Sequence, residues 1–147
     1  MKSKIILLFC LSIFSCASSS STIKSSDYSQ KSERISTLKK YFNLRSDILD
    51  AHYKIYDVNA KTCLVPGATD RDYRIIVKID KSDVLKWTEK EIMTSYHFDF
   101  SWAEELLQEY NVTDFDLSGK RIMFSSEQKK MLVYTDAGIV LIRIVQH

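Results

Sequence analysis

The stretch KMLVYTDAGIVLIRIV, residues 130–145, decides the fold. Lys130 to Thr135 and Ile139 to Val145 are rich in β-branched and aliphatic residues, the composition of strands. Between them lies Asp136-Ala137-Gly138, a three-residue loop whose glycine can take positive φ. Val140, Ile142 and Ile144 recur at period two and share one strand face. The stretch therefore predicts an antiparallel hairpin, and an antiparallel sheet needs further strands and a covering layer.

The further strands lie upstream. Arg121 to Ser125 is short and strand-like. Ile48 to Val58 alternates, with Leu49, Ala51, Tyr53 and Ile55 on one face and Asp50, His52 and Lys54 on the other. Val65-Pro66-Gly67 is a turn signal, and Asp70-Arg71-Asp72 extends a polar loop. Tyr73 to Ile79 then alternates again, with Tyr73, Ile75, Val77 and Ile79 on one face. Three segments read as helices. Lys31 to Phe42 carries Ile35, Leu38 and Phe42 at spacings of three and four, with Ser32 as a candidate N-cap. Ser82 is the expected cap of a helix running to about Thr94, with Val84, Leu85, Trp87, Ile92 and Met93 as its apolar members. Ser101-Trp102-Ala103-Glu104 has the spacing of a capping box, followed by Leu106, Leu107 and Tyr110. The expected fold is a single α+β domain over residues 31–147, a mainly antiparallel sheet of about five strands packed with two or three helices. No internal repeat is visible. A domain of this size, rich in aromatic residues and poor in Pro and Gly, can bury one core.

The N-terminus has a different character. Lys2 and Lys4 precede an almost wholly apolar run, Ile5 to Phe14, interrupted by Ser12. A basic start and a short apolar run have the form of a secretory signal, and the run is about half the ~20 apolar residues that a membrane span needs. Ile13-Phe14-Ser15-Cys16 resembles the lipobox of bacterial lipoproteins. That resemblance implies cleavage after residue 15, a lipid on the Cys16 thiol, and palmitate-type acylation of the new amine. Two or three acyl chains make a stable anchor, at ~0.8 kcal/mol per buried CH₂. Cys10 follows the bulky Phe9 and does not compete. Ala17, in place of an aspartate, resembles the pattern of outer-membrane rather than inner-membrane lipoproteins. Residues 16–30 contain Ser18 to Ser21, Ser25, Ser26 and Ser29, and read as a flexible tether. The span from Val65 to Trp87 resembles a pattern in small uncharacterised bacterial proteins; it implies a strand–helix unit and no activity.

Charge excludes some functions. The chain has 21 basic and 19 acidic side chains, and loss of Lys2 and Lys4 leaves 19 of each. Neutrality argues against a nucleic-acid binder and against a polybasic membrane patch. In the mature chain Cys63 would be the only thiol besides Cys16, so no intramolecular disulfide is expected, and Cys63 reads as a small buried hydrophobe.

Motifs for catalysis are missing. Asp70 and Asp72, and Asp114 and Asp116, are paired acids without the ligand ladder of a calcium loop, and read as turn carboxylates. His52, His97 and His147 lack zinc-site spacing. Gly67, Gly119 and Gly138 are the only glycines, too few for a phosphate cradle, and no nucleophile motif occurs. No cofactor is expected beyond the covalent lipid on Cys16. The richest stretch is aromatic: Trp87, Tyr96, Phe98, Phe100 and Trp102 could line a groove for a peptide, glycan or lipid, or fill the core. The leading expectation is a lipid-anchored, non-enzymatic binding or interaction module of the bacterial envelope, with an envelope protein, a cell-wall component or an incoming toxin as partner. Alternatives are an envelope hydrolase using Asp70, Asp72, His52 and His97, and a purely structural lipoprotein.

Overall fold

A computed structural model describes residues 21–57, 70–88 and 99–146. Its elements run β1 (Thr22–Lys24), α1 (Lys31–Tyr41), β2 (Ile48–Asp57), β3 (Arg71–Ile79), α2 (Ser101–Glu109), β4 (Arg121–Ser125), β5 (Lys129–Tyr134) and β6 (Ile139–Gln146). Short 3₁₀ helices span Ser25–Asp27 and Lys81–Trp87. The strands form one six-stranded sheet in the order β1-β2-β3-β6-β5-β4, and every neighbouring pair is antiparallel. The α+β class is as expected, with one strand more than the five expected.

The hairpin of residues 130–145 lies inside the sheet. β6 pairs with β5 on one side and β3 on the other, so it joins the two halves of the sheet. Gly138 has φ +65° and its N–H donates to the Tyr134 carbonyl, closing the turn. Ile79 N–H in turn donates to the Gly138 carbonyl at 2.8 Å, which ties the turn to the end of β3.

Both faces of the sheet are covered, which explains its hydrophobic load. On the first face, Tyr53, Ile75, Val77, Val140 and Ile142 pack under Leu38 of α1 and under Val84 and Trp87. On the second face, Ile76, Leu132 and Leu141 pack under Trp102, Ala103, Leu106 and Leu107 of α2 and under Phe115. Period-two alternation along β2 and β3 thus separates two cores rather than a core from water. Asp50 and His52, expected on a solvated face, are buried at 2% and 7% exposure.

Four local readings are corrected. The Ser-rich segment is not a tether up to Gln30: Thr22–Lys24 pairs with Tyr56–Lys54, and Ser25 is fully buried. The Ser25 hydroxyl accepts the Tyr53 N–H at 3.0 Å, and Arg34 Nε donates to the Ala51 carbonyl at 3.2 Å. Together they satisfy the edge of β2 that the short β1 leaves unpaired. Residues 22–25 therefore belong to the folded unit. Second, Leu49 is 55% exposed because a register shift between Ile48 and Asp50 leaves it as the extra residue of a bulge, and Ile48 takes its core place. Third, Lys81–Trp87 is a 3₁₀ helix capped by Asp80, whose carboxylate accepts from both the Ser82 N–H and hydroxyl. At three residues per turn Val84 and Trp87 share the buried side, and Leu85 is left 80% exposed. Fourth, the helices lack the expected caps: Asp99, not Ser101, caps α2 by accepting the Ser101 N–H, and α1 has no side-chain N-cap from Ser32. The helix expected to run to Thr94 ends at Trp87, because Thr88 is already extended; residues 89–94, Ile92 and Met93 among them, lie outside the described residues, as do residues 1–15, Cys16 and Cys63.

Candidate functional site

Registers on the second face align basic side chains into a row. Lys24 pairs with Lys54, Lys54 with Arg74, Arg74 with Arg143, and Arg143 with Lys130. Directly paired residues of antiparallel strands share a face, so one cation from each of five consecutive strands stands in line. At ~4.8 Å between strands the row is ~19 Å long. Like charges placed directly opposite oppose pairing, so the row needs counter-charges.

Two carboxylates supply part of that compensation. Asp72, 8% exposed, accepts from Arg74 Nε at 3.2 Å and from Arg143 Nε and Nη2, each at 3.2 Å. Glu109 on α2 receives Lys54 Nζ at 2.9 and 3.2 Å, and its carboxylate raises the Lys54 pKa. The Tyr56 ring lies beside the same two cations, 5.5 Å from Lys54 Nζ and 5.0 Å from the Arg74 guanidinium carbon. Asp72 is thus a strand residue clamped by two arginines, not the solvated turn carboxylate expected of Asp70-Arg71-Asp72. β3 starts two residues early, at Arg71, where Asp57 meets the Arg71 side chain at 3.0 Å.

Where α2 meets the row, a cavity of about 50 Å³ is lined by Lys54, Tyr56, Arg74, Trp102, Glu105, Leu106 and Glu109. It is far below the ~300 Å³ at which small-molecule pockets begin, and suits water. Trp102 Nε1 is buried without a hydrogen-bond partner among the described residues. The arrangement is a basic strip along the margin of a helix, with no enclosed reaction chamber.

Trp87 and Trp102, expected in one aromatic groove, do not share a surface. Trp87 is fully buried on the first face, and Trp102 is buried on the second, so the sheet separates them. Trp87 instead fills core, donating its indole N–H to the Ser46 hydroxyl at 2.9 Å. Phe100 does accompany Trp102, with ring centroids 6.3 Å apart. Tyr96 and Phe98 lie outside the described residues.

The residues proposed for hydrolysis separate too. His52 pairs with Ile76 and Asp72 with Tyr56, two rows further along the strands, or ~13 Å. His52 packs edge-on against Phe115, with centroids 5.1 Å apart. His97 and His147 lie outside the described residues. Asp114 meets Lys78 at 3.6 Å, and Asp116 accepts the Ser118 N–H. Among the described residues no group of three His, Cys, Asp or Glu side chains is placed to hold a metal.

His52 and Asp50 still carry a pH signature. Burial lowers the His52 pKa, with Arg34 and Lys31 adding to it against the pull of Asp50 and Asp114. Burial pushes the Asp50 carboxyl up, but bonds from Arg34, the Ala51 N–H and Lys31 outweigh it and hold it low. Folded His52 therefore stays neutral where an unfolded imidazole takes up a proton. Stability is complete above the ordinary histidine pKa of about 6.5 and falls as pH drops through it, while Asp50 acts only near and below its ordinary pKa of about 4. Urea midpoints should decline from pH 7.5 to pH 5.5, about one unit either side of that pKa, and His52→Leu should flatten the decline. An unchanged slope in the variant would show that another group titrates.

No protein-family model matches the chain, no curated protein matches its sequence significantly, and no solved structure matches its fold significantly.

Proposed function

We propose that this protein is a lipid-anchored, non-enzymatic binding module of the bacterial envelope, with the outer membrane as its site and Cys16 as its anchor. The observation that carries the reading is Ile13-Phe14-Ser15-Cys16 closing the apolar run from Ile5 to Phe14. The start of the sheet at Thr22 supports it in a specific way. Only Ala17 to Ser21 separate Cys16 from that strand, so the span between them cannot exceed ~20 Å. An acylated Cys16 would hold the domain against the bilayer rather than on a long leash. The Ser21 hydroxyl donating to Asp57 ties this entry point to the end of β2.

The recognition surface in this reading is the basic strip with Tyr56 and the margin of α2. Its side chains are half-buried, from 18% exposed for Lys54 to 36% for Arg143. An acidic surface fits it better than a neutral one.

Processing tests the anchor. In cells, the natural chain is expected to lose residues 1–15, and Cys16→Ala to keep them. The two forms separate by mass spectrometry of the purified protein. If both chains are cut alike, an ordinary secretory signal replaces the lipobox reading.

A further inference from the structure

We propose that the row Lys24–Lys54–Arg74–Arg143–Lys130 is a second membrane contact, docking this face of the sheet onto the phosphates of anionic phospholipid headgroups. The proposal rests on the anchor reading, because that reading puts the row beside a bilayer.

The chain enters the sheet at Thr22, opposite Tyr56, one residue from the Asp57 end of β2. That end also carries Arg71 at the start of β3 and Gln146 at the end of β6, which are paired. With Cys16 at most ~20 Å of chain from Thr22, this end of the sheet faces the anchor. The row lies three residues in from Asp57, or ~10 Å by strand rise, within reach of extended Lys and Arg side chains. Its first member, Lys24, stands on the tethered strand itself and has no ion-pair partner among the described residues.

α2 covers the neighbouring row on the other side, where Ile76, Leu141 and Leu132 are buried beneath it. Behind Arg71 at the edge itself, the row is therefore the first line of cations on this face. Arg74 and Arg143 share the single carboxylate of Asp72, and Lys24 has no ion-pair partner among the described residues, so the strip keeps an excess of positive charge even with Glu105 and Glu109 beside Lys54 counted. Chain-wide neutrality conceals this, because counting charges ignores which strands become neighbours. Each Lys or Arg near an anionic leaflet favours binding several-fold, and the effect fades within a Debye length. A short tether adds to it by keeping the local concentration of headgroups high.

The test uses the chain from Cys16 onward, which contains every described element, with Cys16→Ser so that no acyl chain contributes. It is sedimented with phosphatidylcholine vesicles and with phosphatidylcholine–phosphatidylglycerol vesicles at low and high salt. We expect binding to the anionic vesicles only, weakened by salt. Lys24→Gln with Lys130→Gln, the two ends of the row, should lower partitioning about tenfold or more, Lys24→Gln alone about fivefold, and Lys40→Gln with Lys81→Gln less than about twofold. Lys40 and Lys81 are exposed and lie towards the opposite end of the strands, so this pair removes the same charge elsewhere. Circular dichroism establishes that each variant is folded. Equal losses for the two pairs, equal binding to neutral vesicles, or no binding by a folded chain would each overturn the proposal. The missing thiol makes the outcome independent of acylation, so failure here and failure of the anchor are told apart.

Discussion

Trp87→Ala is expected to destabilise the fold by roughly 3–5 kcal/mol, the range for emptying a large aromatic site in a core. Trp87 has no exposed surface and is among the largest fully buried side chains. It ends the 3₁₀ helix Lys81–Trp87, packs with Val84 against the first sheet face, and donates to Ser46 in the loop before β2. One ring therefore fixes a helix, a loop and a sheet. Alanine would leave a cavity and remove the donor to the Ser46 hydroxyl. Trp87→Phe keeps most of the volume and should recover most of the loss. Urea unfolding followed by circular dichroism measures both. A loss below about 1 kcal/mol for the alanine variant would mean that Trp87 is not a core residue, and would return it to the groove first expected of it.

Gly138→Ala should rank second, at roughly 2–4 kcal/mol. Two separate penalties meet there. The residue has φ +65°, a conformation that side chains with a Cβ adopt at a cost. A Cβ would also stand 2.6 Å from the Ile79 carbonyl oxygen, which is backbone and cannot swing aside. Relief would break the bond from Ile79 N–H to the Gly138 carbonyl and loosen the junction of β3 with the hairpin. Gly119 is the internal comparison. It has φ +93°, but the nearest atom to an added Cβ is a side-chain oxygen of Asp136 at 3.6 Å. Gly119→Ala should therefore cost only the strain, about 1–2 kcal/mol. Equal urea midpoints for the two variants would remove the steric part of the argument.

The hairpin and the alternation in β3 were legible because each rests on adjacent residues: Asp136 to Gly138 make the turn, and Tyr73, Ile75, Val77 and Ile79 share a face. What failed depended on contacts distant in the chain. Ser25 reads as linker by composition, yet its hydroxyl satisfies the Tyr53 N–H across 28 residues. Leu49 reads as core by alternation, until a bulge removes it from the count. Trp87 and Trp102 are close in sequence, but β3 leads to one face and α2 lies on the other, so proximity misleads. The basic row was hidden most deeply. Lys24, Lys54, Arg74, Lys130 and Arg143 are scattered over the chain, and only the pairing registers bring them into line. The sign that could have found them is period-two parity: Lys54 and Arg74 each sit on the polar side of an alternating strand. Aligning them still requires the strand order, which composition does not contain.

The central claim is a domain held close to a membrane by a lipid on Cys16. The most direct measurement is incorporation of clickable palmitate in cells, comparing the natural chain with Cys16→Ala. The account predicts label on the natural chain and none on the variant. Label on both chains, or on neither, would contradict it, and the basic row would then have to be explained without a bilayer at its side.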